Sequence, residues 1–240
     1  MIYFYERKPK TFSVDEFVRD YEECYYLPNE DTTKNYIPGV SINSRTAERK
    51  IESFLVDGFQ DGKDVNTALA WKIGGIDNKS SNEGIYFKDN WGKADKVTER
   101  YFECGRKEYN ELCERIAQLS VANGEIDETL ENILSVIDET KAKGFGPVYI
   151  LTLLYFVTKK ESPIFDRYAY TAVKAIYNGV KPSEIWYENP SSKDKKNLLK
   201  LINEYRWYLV QVFGRADIER RIDRSLWVYG HTKSSNHIFK

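Results

Sequence analysis

The chain is poor in the residues that build metal centres and disulfide frameworks: 240 residues include 3 cysteines, 2 histidines and 1 methionine. Cys24, Cys104 and Cys113 are scattered, odd in number and form no Cys-x-x-Cys pair, which argues against a disulfide scaffold. Buried structural thiols are the plain reading. His231 and His237 lie far from the cysteines in sequence, so no zinc or iron–sulfur spacing exists and no metal is expected. Long apolar runs are missing too. The longest, Val148 to Val157, falls well short of the roughly 20 residues a membrane span needs and reads as a buried helix. The start, Met1-Ile-Tyr-Phe-Tyr-Glu-Arg7, has neither the basic flank nor the small-residue cleavage site of a signal peptide. A soluble, cytoplasmic protein with no membrane partner is expected.

An excess of one charge is absent from the totals, which balance to −1, and that alone argues against a nucleic-acid partner. The distribution argues the other way. Residues 141–240 hold 18 lysines and arginines against 9 acids, and residues 1–140 hold 18 against 28. Such a split points to a basic face on the C-terminal part.

What is present is helical pattern. Ser13-Val-Asp-Glu16 is a capping-box signature opening a helix to about Tyr26, and Asn29 to Asn43 reads as a loop. Helical periodicity returns over 45–59 and again over 64–73, where Gly74-Gly75 stops it. Residues 77–96 read as a long loop or short hairpin carrying Ile85-Tyr86-Phe87 and Trp91. From about residue 97 apolar residues recur on one face, and Ile126, Leu130, Ile133, Leu134 and Ile137 follow the i, i+3, i+4 rule up to Lys143. Further helices are expected from Pro147 to about Thr158, from Asp166 to Tyr177, over 194–213 and over 217–229. The fold class is therefore all-α, with 1–76 a mostly helical lobe and 77–240 the remainder, together one compact monomeric unit. Aromatic residues, 18 tyrosines and 5 tryptophans among them, are spread throughout, so much of the core must be aromatic.

One segment carries chemistry. Lys143-Gly144-Phe145-Gly146-Pro147 joins two helices through a tight turn. Glycines open backbone conformations closed to other residues and let another molecule approach. The helix that follows offers unpaired N–H groups and a positive dipole end, a ready phosphate site, with Lys141 and Lys143 beside it. Phe145 would plug into the core and hold the turn rigid. After the buried helix, Ser162-Pro163-Ile164-Phe165-Asp166-Arg167-Tyr168-Ala169 sets a carboxylate, Asp166, at the first turn of the next helix. For an arbitrary helix that position is a cap and nothing more.

Together these residues resemble the helix-hairpin-helix DNA glycosylases, in which a Gly-hydrophobic-Gly hairpin grips the DNA backbone and a Pro-hydrophobic-x-Asp segment supplies the catalytic aspartate. The resemblance covers about 125–230. It is nearest to the bacterial 8-oxoguanine-glycosylase-like branch, through Gly144-Phe-Gly-Pro-Val-Tyr149, Leu153-Leu-Tyr-Phe156, Pro163-Ile-Phe-Asp166 and Leu226-Trp-Val-Tyr-Gly-His231, with Ala68 to Gly74 similar as well. It implies a helix-hairpin-helix fold, duplex DNA with a damaged or modified base as partner, and Asp166 as catalyst. It also implies DNA contacts from Lys141, Lys143, Gly144, Phe145 and Gly146. No cofactor is implied beyond a monovalent cation on the hairpin carbonyls.

In one position the chain departs from that pattern. Family members that also nick the strand carry a lysine two residues after the second hairpin glycine, and that position is Val148. Valine is no nucleophile, so a monofunctional enzyme leaving an abasic site is expected, with Lys72 the substitute amine if strand cleavage occurs. Tyr149, Tyr170, Trp71, Trp227 and Tyr229 are the candidates to stack on an extruded base. The substrate class is an oxidised purine or a modified base in foreign DNA such as that of a phage. Two other readings compete: a DNA-binding protein that kept the hairpin without the chemistry, and a helical interaction protein with no affinity for DNA.

Overall fold

The computed structural model describes residues 13–26, 45–76, 85–87, 105–119, 125–187 and 194–231. Among them are nine α-helices: α1 (Val14–Tyr21), α2 (Arg45–Asp57), α3 (Gly62–Lys72), α4 (Arg106–Leu119), α5 (Ile126–Glu139), α6 (Pro147–Val157), α7 (Arg167–Asn178), α8 (Lys195–Phe213) and α9 (Arg220–His231). Two short 3-10 turns, Glu23–Tyr26 and Pro182–Glu184, complete the list. The all-α class follows. An isolated antiparallel bridge between Ile76 and Phe87 closes the segment expected as a loop or hairpin. Most of that segment, Trp91 included, lies outside the described residues, as do the loop expected at 29–43 and Cys104. No described helix is long and apolar enough to cross a membrane.

Local chemistry explains where the helices start. The Ser13 hydroxyl accepts from the Glu16 N–H at 3.3 Å, the cap its signature predicts. α3 starts earlier than periodicity suggests, because Asp61 accepts from the N–H groups of Lys63 and Asp64. Asp194 caps α8 in the same way through Lys196 and Asn197. Pro147 opens α6 at the one helical position where a missing N–H costs nothing.

Helix ends follow a second rule. After α5 the Lys141 N–H reaches the Asp138 carbonyl and the Ala142 N–H reaches that of Ile137. This is the paired pattern that closes a helix on a left-handed residue. That residue is ordinarily glycine; here it is Lys141, at φ 56°. α5 therefore stops at Glu139, four residues before the end its sequence suggests. Lys159, at φ 46°, closes α6 by the same device.

The chain divides into two compact bodies: residues 1–42, 165–189 and 201–240 form one, and residues 43–164 and 190–200 the other. A cut at residue 76 does not describe this division, because α1 is held by the far end of the chain. In the first body Phe17 and Tyr21 pack on Tyr229, with ring centroids 6.0 and 5.3 Å apart. The Arg224 guanidinium donates to Glu22 at 2.6 Å. α9 also lies so close to α7 that a Cβ on Gly230 would sit 2.1 Å from the Tyr168 carbonyl oxygen. In the second body Phe54, Phe59, Trp71 and Phe156 form an aromatic centre, and α6, apolar all round, is buried along nearly its whole length.

Candidate functional site

The hairpin belongs to the second body. Phe145 is fully buried, as its apolar character demands, and meets Tyr149 edge to face at 6.4 Å. Burying a phenylalanine contributes about 2–3 kcal/mol, enough to pin the turn. Lys141, Lys143 and Gly144 are exposed. Gly144 takes φ 84°, a conformation that side chains disfavour. Gly146 is different: its backbone is extended at φ −77°, and among the described residues nothing lies within 4 Å of where a Cβ would stand. The described protein thus has no internal need for glycine at 146. As the N-cap it has no side chain to offer; Pro147 carries no N–H, and the Tyr149 and Ile150 N–H groups donate to the Gly146 carbonyl at 3.1 and 3.2 Å. Val148, at the position where the lyase-type pattern has lysine, is half-buried.

Lys72 and Trp71 close α3 in the same body. The Trp71 indole N–H donates to the Glu48 carboxylate at 2.7 Å, and both residues are buried. That carboxylate on the inner side of α2 is invisible to periodicity, which treats every Glu as solvated. Lys72 is half-buried and reaches back over the Trp71 ring, 5.9 Å from its centroid.

Asp166 belongs to the first body. It is the N-cap of α7, extended at φ −140°, and its Oδ1 accepts from the Tyr168 N–H at 2.8 Å. The side chain is half-buried. Around it stands a cluster that sequence reading assigned only in part. Tyr168 stacks on His231, with ring centroids 3.5 Å apart and planes 28° apart, and meets Trp227 edge to face at 6.3 Å. The Arg167 guanidinium lies 4.5 Å from the Tyr168 ring centre and donates to its hydroxyl at 2.5 Å. The His231 Nδ1–H donates to the Trp227 carbonyl at 2.9 Å. Burial pulls the imidazole down to about 4, against the opposing pull of the Trp227 carbonyl and the Asp166 charge, so the ring is neutral at pH 7. Tyr187 also feels Asp166. Burial first, and then that negative charge, push its phenol up to about 12, and its buried hydroxyl has no hydrogen-bond partner among the described residues.

The remaining aromatic candidates fall on two sides. Trp227 is half-buried beside Tyr168, and Tyr149 is half-buried beside the hairpin. Tyr170, Trp71 and Tyr229 are buried and belong to the core. The Tyr170 hydroxyl donates to Glu204 at 2.7 Å, and burial together with that carboxylate holds its phenol far above the ordinary tyrosine range. Among the described residues no group of three His, Cys, Asp or Glu is placed to hold a metal ion. His231, Tyr168 and Tyr187 are what the sequence reading missed around Asp166. The terminal Leu226–His231 motif was the only signal pointing to one of them.

No family model, curated protein or solved structure matches this chain.

Proposed function

We propose that this protein is a helix-hairpin-helix DNA glycosylase that hydrolyses the N-glycosidic bond of a damaged or modified base and leaves an abasic site. The observation that carries the reading is Asp166: a carboxylate clamped at the N-terminus of α7 by the Tyr168 N–H and flanked by stacked aromatic rings. The hairpin supports it, since Gly146 has an open face that the described protein itself does not use.

The chemistry follows from charge. As the C1′–N bond breaks, the electron pair leaves with the base and positive charge builds on the sugar, as in glycoside hydrolysis. Asp166, ionised and fixed, stabilises that cation and takes a proton from the water that adds to C1′. The base must first leave the stack, at a cost of a few kcal/mol that is least for damaged or weakly paired bases. Trp227 in the first body and Tyr149 in the second are each part-exposed, so either ring is available to an extruded base, whereas Tyr170 and Trp71 are buried. Lys141 and Lys143 would meet backbone phosphates beside the start of α6. With Val148 in place of the lyase lysine, strand cleavage through a Schiff base is not expected, and borohydride should trap no covalent adduct. A trapped adduct would direct attention to Lys72.

The test is base release from a duplex containing 8-oxoguanine and from phage DNA rich in modified cytosines, scored as alkali-labile sites. The wild-type protein should release base from at least one, and Asp166→Asn should abolish release with DNA affinity retained. DNA binding without release from either substrate would favour the non-catalytic hairpin reading.

A further inference from the structure

We propose that the C-terminal end of α9 sets the orientation of the Asp166 carboxylate by clamping Tyr168, with His231 as the positioning residue. The inference rests on the glycosylase reading for its consequence in catalysis, but its geometry stands apart from it.

Tyr168 is held at every polar and aromatic point described. Its N–H donates to Asp166 Oδ1 at 2.8 Å, so any shift of this residue moves the donor that fixes the carboxylate. Its carbonyl lies against Gly230 so closely that no side chain fits between α7 and α9 there. Its ring stacks on the His231 imidazole and meets Trp227, and its hydroxyl accepts from Arg167. His231 is in turn locked, because its Nδ1–H is committed to the Trp227 carbonyl one turn earlier in α9. A flat ring held edge-on by a backbone bond is a rigid wall, whereas a side chain of several free torsions would have to be ordered at a cost of up to about 2 kcal/mol. The neutral state matters as well: an imidazolium beside the Arg167 guanidinium would set two like charges against one tyrosine ring. A capping carboxylate needs only an N–H donor. A catalytic one must be held within about 0.5 Å of its productive position, and the stack supplies that second requirement.

The test uses the full-length chain and two readouts. Hydrogen exchange of the Tyr168 amide, followed by NMR, reports the clamp without any substrate. His231→Ala should speed that exchange at least tenfold, while His231→Phe, which keeps a stacking ring, should stay within about threefold of wild type. Base release from the active duplex should then fall at least tenfold in kcat for His231→Ala with KM for DNA unchanged, and His231→Phe should recover most of it. In the Asp166→Asn background, His231→Ala should have no further effect on release. Unchanged Tyr168 exchange in a folded His231→Ala protein would overturn the clamp. Altered exchange in a protein that releases no base from any substrate would instead leave the clamp standing and count against the glycosylase reading.

Discussion

At the scale of the residue, His231 shows how burial gives a titratable group a defined state. Its pKa of about 4 in the folded protein lies below the ordinary 6.5, because burial disfavours the charged ring. The unfolded chain therefore takes up the proton first as pH falls. The contribution is fully present above pH 6.5 and is lost as pH drops toward 4, a total on the order of 3 kcal/mol. Denaturant midpoints measured across that window should fall for the wild-type protein and fall visibly less for His231→Gln. Parallel curves would mean that the imidazole is not buried as described. The state of His231 is not legible in the sequence. Tyr168 and His231 are far apart along the chain, and only the close crossing of α7 and α9 at Gly230 brings their rings together. Asp166 was legible, because a carboxylate after a proline-stiffened loop at a helix start is a local pattern.

At the scale of the element, the helices were readable wherever a local signal marks their ends, as at Ser13 and Pro147. They were misjudged where the signal is atypical. α5 ends early because Lys141 takes the left-handed closing position that glycine ordinarily occupies. A side chain there costs about 1 kcal/mol or more, and the site is exposed, so the lysine has no packing reason to be present. Lys141→Gly should accordingly raise stability by up to about 1 kcal/mol and weaken DNA binding at the same time. Thermal unfolding and a binding titration on one preparation measure both. A stabilised variant with undiminished affinity would remove Lys141 from the proposed interface. The buried Glu48 that receives the Trp71 indole N–H is a further departure from pattern, since periodicity assigns glutamate to the solvent side.

At the scale of the whole molecule, helical periodicity pointed to an all-α chain and the described residues agree, whereas the division into bodies was not foreseen. Long-range partners decide it: Glu22 with Arg224, and Tyr21 with Tyr229, tie the first helix to the last. Nothing in the sequence near residue 76 could report those contacts. The uneven charge distribution is a molecule-scale property with a molecule-scale consequence. The logarithm of the DNA-binding constant should fall linearly with log salt concentration, and replacing Lys143 by Ala should reduce that slope by about 1 while weakening every sequence alike. A helical interaction protein with no nucleic-acid role would show no such dependence.

The central claim is that Asp166 does more than cap α7. Asparagine also caps helices well, so Asp166→Asn preserves the local fold while removing the charge, and this separates the two roles. Alkali-labile sites generated by wild type and by Asp166→Asn on the same modified DNA are the direct measurement. The account predicts sites with the wild-type protein and none above background with the variant, at equal DNA occupancy and equal Tm within a few degrees. Wild-type rates of base release from Asp166→Asn would contradict it.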